Sequence, residues 1–213
     1  MSDSKNDAST DIESKVKDFA KDLTTWSEKW LKDKQKEKGK EKGDTKAPDK
    51  KKKKEKEVES IAFSMSNNKD SKSRTPAEQA NEVVKGASYV CWSSHMGDKA
   101  RHVLMKVNGK VSWEPKEAFG DDVGEFEKKW GELMKTHGLK NAKGADGWSS
   151  WDGFHLELPE SKMSTSDKQA QACLDEYARL TREEGKDKND KFEKSYEKLL
   201  KPFIEKYEKK QKK

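Results

Sequence analysis

The chain has 213 residues, of which 41% are charged and 30% hydrophobic, against roughly 25% and 45–50% in an average soluble domain. That much charge does not fit on one ordinary core, so part of the chain is expected to be solvated helix or to lack fixed structure. No run approaches the ~18–20 apolar residues that span a bilayer, the opening MSDSKNDASTDIESK has no apolar signal core, and two cysteines are too few for a disulfide framework.

In chain order, Thr10 and Glu13 have capping-box spacing, and Ile12, Val16, Phe19, Leu23, Trp26 and Trp30 follow in alternating steps of four and three. This narrow a/d stripe predicts an amphipathic helical arm within 1–32, whose seam must be buried against the chain's own domain, a second copy or a partner. Residues 33–73 read as a Lys/Glu-rich linker. Its first part has no large apolar residue to offset the entropy of ordering, and Val58, Ile61 and Phe63 within it could form a short strand or a tether. Thirteen lysines against seven acids in 32–57 account for an excess equal to the whole chain's +6, leaving 58–165 close to neutral. A dedicated duplex-binding domain usually carries a basic face of its own.

A compact α+β domain is expected over 74–160, in the order helix, strand, β-hairpin, helix, strand. Thr75, Pro76 and Glu78 open its first helix and Gly86 ends it. ASYVCWSS (87–94) reads as a strand. Asn108-Gly109 between RHVLMKV and KVSWE predicts a type I′ hairpin pairing Val107 with Lys110, Met105 with Ser112 and Leu104 with Trp113. Asp122 and Glu125 are expected to cap a helix carrying Phe126, Trp130, Leu133 and Met134, with Gly138 at its end. Phe154, Leu156 and Leu158 alternate as a strand stopped by Pro159. The domain holds five of the seven tryptophans, a large buried area for its size. Residues 161–213 predict a helical hairpin, the first helix capped by Ser166 and Gln169, the second by Asp190 and Glu193. A short link around Asp187 allows an antiparallel arrangement, and Pro202 should kink the second helix.

Three features could carry chemistry. Lys50, Lys51, Lys52, Lys53 and Lys54 form a basic tract suited to a solvated linker, a nuclear address or phosphate binding. Cys91 would be a nucleophile only beside a base such as His95 or His102 held by a third group. A small thiol in a strand is more often plain core. CWSSH supplies too few ligands for zinc, so no metal is expected. Trp148, Trp151 and Phe154 recur every third residue beside Gly147 and Gly153, a pattern that fits either aromatic binding anchors or a core plug. No Gly-rich phosphate loop, paired-carboxylate motif or serine elbow is present, and no cofactor is expected.

The sequence therefore favours a non-enzymatic binding or assembly protein in the cytosol or nucleus. It would engage a protein partner or itself, with Trp148, Trp151, Phe154, Trp26 and Trp30 as binding candidates. The alternatives are a nucleic-acid-associated component bound through its basic arms and a small Cys/His-dependent hydrolase or transferase.

Overall fold

The computed structural model describes residues 5–41, 57–67, 73–141, 153–159 and 167–213. The fold is α+β, mixing helices with a four-stranded antiparallel sheet. Two compact units form, each from separated stretches of chain: Thr10–Ser66 with Arg101–Glu157, and Met1–Ser9, Asn67–Ala100 and Leu158–Lys213. We call them the sheet unit and the helical unit. This grouping cuts across the division expected from sequence at 32, 73 and 160.

The sheet unit takes α1 (Lys5–Glu41) from Thr10 onward; the helix starts before Thr10 and runs past residue 32, into the stretch read as linker. The Thr10/Glu13 capping box is therefore not at a helix start. Glu13 instead accepts a hydrogen bond from the buried Arg101 at 3.2 Å. Ile12, Val16, Phe19 and Leu23 are fully buried, so the seam is used inside the chain's own fold. A second element in the supposed linker is β1 (Ile61–Met65), antiparallel to β2 (Ala100–Val107) with Ile61 opposite Val107 and Phe63 opposite Met105. Ile61 and Phe63 point inward while Ala62 and Ser64 are exposed, as the two-residue strand period requires. The Thr24 hydroxyl ties α1 to this strand, accepting from the Phe63 N–H at 2.8 Å.

β3 (Lys110–Ser112) completes the hairpin in the register read from sequence, Val107 with Lys110 and Met105 with Ser112, but the strand ends there, so the expected pairing of Leu104 with Trp113 does not form. Asn108 (φ 50°) and Gly109 (φ 76°) take the positive dihedrals that a type I′ turn needs. The Asn108 side chain also accepts from the N–H groups of Glu59 and Ser60 and donates to the Glu57 carbonyl, fixing the approach to β1. A short helix α3 (Pro115–Phe119), absent from the sequence reading, begins at Pro115. A 3₁₀ turn follows it into α4 (Val123–Thr136). No side-chain cap forms at Asp122. Asp122 and Glu125 instead bind Lys34 of α1 at 3.2 and 3.5 Å. β4 (His155–Glu157) closes the sheet beside β2, the Val103 N–H donating to the Phe154 carbonyl at 2.9 Å.

The core of this unit is a set of rings around Trp130, which is wholly buried. Phe19, Phe126 and Phe154 lie 4.7, 5.8 and 5.7 Å from it between centroids. Each such pair adds about 0.5–1.5 kcal/mol to the gain from burial alone.

The helical unit holds α2 (Pro76–Val84), α5 (Asp167–Arg182) and α6 (Asp190–Gln211). The Thr75/Glu78 capping box forms as read, and Gly86 has φ 76° just past the helix. The strand expected over 87–94 does not form. Its backbone groups are taken by side chains instead: Gln79 donates to the Val90 carbonyl at 2.7 Å, and Asn189 to the Ser88 carbonyl at 3.2 Å. Such local bonds offer the backbone an alternative to a ladder. The C-terminal helical pair does form, capped by Asn189 (its side chain accepting from the Phe192 N–H) rather than by Asp190.

The pair is not antiparallel. Both ends of α6 reach the C-terminal half of α5, with Phe192 on Tyr177 and Lys206, Lys210 and Gln211 on Asp175, Glu183 and Arg182. The Asn189 N–H donates to the Tyr177 hydroxyl at 2.9 Å, drawing the link back along α5. Inside α6 the break in helical dihedrals falls at Tyr196, six residues before Pro202, rather than at the proline itself. Ser166 lies outside the described residues.

Candidate binding surface

Trp148, Trp151 and the tract Lys50, Lys51, Lys52, Lys53 and Lys54 fall outside the described residues. Of the other candidates, Phe154 is only 3% exposed and sits between Trp130 and Trp113. It is a core ring rather than an open anchor. Trp26 and Trp30 are half-buried on Phe119 at 5.8 and 5.0 Å, and the Trp30 indole N–H donates to Glu125. Their area is spent on holding α1 to the sheet unit.

The Cys/His candidates do not form a nucleophile and base. The Cys91 sulfur lies 2.7 Å from that of Cys173, in a core with Ala80, Val83, Leu174 and Tyr177. Its thiol is pushed far above the usual range, first by the hydrogen bond with Cys173 and then by burial. A thiol held protonated lacks the thiolate that attacks. His95 is buried in a turn, its N–H donating to the Ser93 hydroxyl. His102 is on β2 with its ring 5.2 Å from that of His155.

A different pair of residues stands out. Val111 and Trp113 are 49% and 53% exposed, on and just beyond β3. Ser112 between them is buried, so the two apolar side chains share the outward face. Among the described residues β3 pairs with β2 only. Val107↔Lys110 flanks the two-residue turn and is therefore a hydrogen-bonded pair, which makes Lys106↔Val111 a non-hydrogen-bonded one. The Val111 N–H and C=O thus point away from β2, toward the open edge. Trp113 rests edge-on against buried Phe154, centroids 5.7 Å apart, so one side of its ring is fixed while the rest is open. The signal was present in the sequence: once Ser112 pairs with Met105 on the inward face, Val111 and Trp113 must face out.

No protein-family model matches the chain, and no match to it was found among curated proteins or solved structures. Among the described residues no helix is long and apolar enough to cross a membrane.

Proposed function

We propose that this is a non-enzymatic binding or assembly protein that engages a protein partner at the β3 edge of its sheet unit. The observation that carries the reading is the exposed Val111–Trp113 pair on an edge strand whose outward backbone groups are in position to pair. An extended peptide laid along such an edge gains main-chain hydrogen bonds, and its alternate side chains meet the flanking apolar residues. Natural edges are usually blunted by charge, proline, a bulge or short length; here Lys110 supplies a charge at the start of a three-residue strand, while Val111 and Trp113 leave an apolar pair open beside it. A rigid ring already held on one side loses little freedom on binding, which is the property of an interface anchor. The cytosolic or nuclear location belongs to the same proposal, resting on cysteine usage and on the Lys50–Lys54 run.

Panning a random-peptide library on the full chain, with sedimentation of the chain alone, tests this. The expected result is an extended apolar peptide, or self-association, that weakens at least tenfold in both Trp113→Ala and Val111→Pro. The proline removes the outward N–H along with the exposed valine side chain, a change that an edge position tolerates, so the melting temperature should hold while binding is lost. Ligands that bind both variants as tightly as the parent chain would overturn the reading, as would a strictly monomeric chain that selects no peptide.

A further inference from the structure

Cys91 and Cys173 are separated by 82 residues of sequence, yet the fold places their sulfurs 2.7 Å apart. Both are fully buried and both are free thiols. Cys173 is on α5, in the regular part of the helical unit. Cys91 is in the irregular stretch between α2 and β2, which is held by side-chain hydrogen bonds from Gln79 and Asn189 rather than by a strand ladder. One thiol thus belongs to a regular helix, and the other to an irregular segment without a strand ladder, the kind of element in which local opening is commonest.

We propose that Cys91 and Cys173 are a reversible dithiol–disulfide site, oxidised by exchange with a small disulfide such as oxidised glutathione, which locks the 87–99 segment onto α5. In the first step one cysteine, exposed by local opening and deprotonated, attacks a sulfur of the small disulfide. A protein–glutathione bond forms, and one glutathione thiolate leaves with the electron pair of the broken S–S bond. As the segment closes, the second cysteine loses its proton and attacks the protein-side sulfur of the mixed disulfide, expelling the second glutathione thiolate. The two protons released by the cysteines end on the two glutathione thiols. Two protein thiols are thereby oxidised and one small disulfide reduced.

The closed state protects the reduced pair. The thiol–thiol hydrogen bond and burial both hold Cys91 protonated, so attack awaits opening and the site responds slowly, at a rate set by the local dynamics of 87–99. Once formed, the bond closes a long loop, which removes many conformations from the unfolded chain.

The test uses the unmodified full chain. Its equilibrium with reduced and oxidised glutathione is measured under native conditions and again in urea, with rapid alkylation and intact-mass readout. The native fold should favour the intramolecular disulfide, a product lacking two hydrogens and carrying no adduct, on the order of 100-fold over the unfolded chain. By the same thermodynamic cycle the oxidised protein should melt at a higher temperature than the reduced one. A native-to-urea ratio of one or less would overturn the proposal. So would a native end-point in which glutathione stays attached to each cysteine.

Discussion

The two compact units divide the chain's aromatic residues by chemistry. All four tyrosines, Tyr89, Tyr177, Tyr196 and Tyr207, lie in the helical unit, whereas among the described residues four of the five tryptophans lie in the sheet unit, Trp92 being the exception. The sheet unit is organised by ring contacts around Trp130, with its backbone groups satisfied by strand ladders. The helical unit is joined by polar side chains inside its core: Gln79, Asn189 and the Tyr177 hydroxyl. Apolar rings lose stability in proportion to the volume removed. A buried amide or hydroxyl fails more abruptly, because its loss leaves other buried groups without partners.

The sharpest way to break the comparison is to remove its centre. Trp130→Ala should cost the sheet unit about 3–5 kcal/mol, as large-to-small core changes do. Urea unfolding followed by tryptophan fluorescence would read the loss, while tyrosine near-ultraviolet signals should change far less. Equal loss in both signals at one midpoint would show that the units unfold together.

Asn189→Ala asks whether one amide matters comparably in the other unit. It removes the α6 cap and the donors to the Val83 and Ser88 carbonyls, with an expected cost of about 2–4 kcal/mol. Hydrogen exchange should rise first in 87–92 and in the opening turn of α6. Asn189→Asp keeps the capping oxygen but not the donors, and should fall between the two.

Alkali sharpens the contrast further. Burial, reinforced by the nearby Glu193 carboxylate, pushes the Tyr177 hydroxyl up to about 12, against roughly 10 in an unfolded chain. Between those values the folded protein keeps a proton that the unfolded chain releases. The stability from this group is therefore intact below pH ~10 and falls by about 2–3 kcal/mol as pH rises toward 12. Tyr196 and Tyr207 are raised by burial as well and steepen the loss. In Tyr177→Phe the alkaline slope should shrink by roughly one proton's worth, measured as urea stability against pH. The smallest expected effect is that of Val111→Lys on the exposed β3 edge, within about 0.5 kcal/mol of zero. A larger loss on calorimetry would mean that the edge is covered.

The parts of this fold legible in the sequence are those set by local backbone chemistry. Asn108-Gly109 fixed the hairpin register, Thr75-Pro76-Glu78 marked a real helix start, and the Ile12–Leu23 periodicity marked a buried face. The misreadings arose where a side chain had two suitors. Glu13, Asp122 and Glu125 have capping spacing, but they pair with Arg101 and Lys34 far along the chain. The β-rich run 87–94 was claimed by Gln79 and Asn189, which no local pattern announces. At the candidate site the outward face of Val111 and Trp113 was legible from the hairpin alone. The meeting of Cys91 with Cys173 was not, because only the packing of α5 on α2 brings the two together.

Interleaving of the units has a consequence for the chain as it is made. The seam of α1 leaves the ribosome roughly a hundred residues before Trp130, the ring on which Phe19 rests, an interval on the order of 5–20 s at ordinary rates of synthesis. For that time Phe19 lacks the ring it rests on in the native fold. The nascent chain is most vulnerable to proteolysis and misassociation in that interval, and a chaperone that binds short amphipathic helices would meet its substrate there, well before either unit could close.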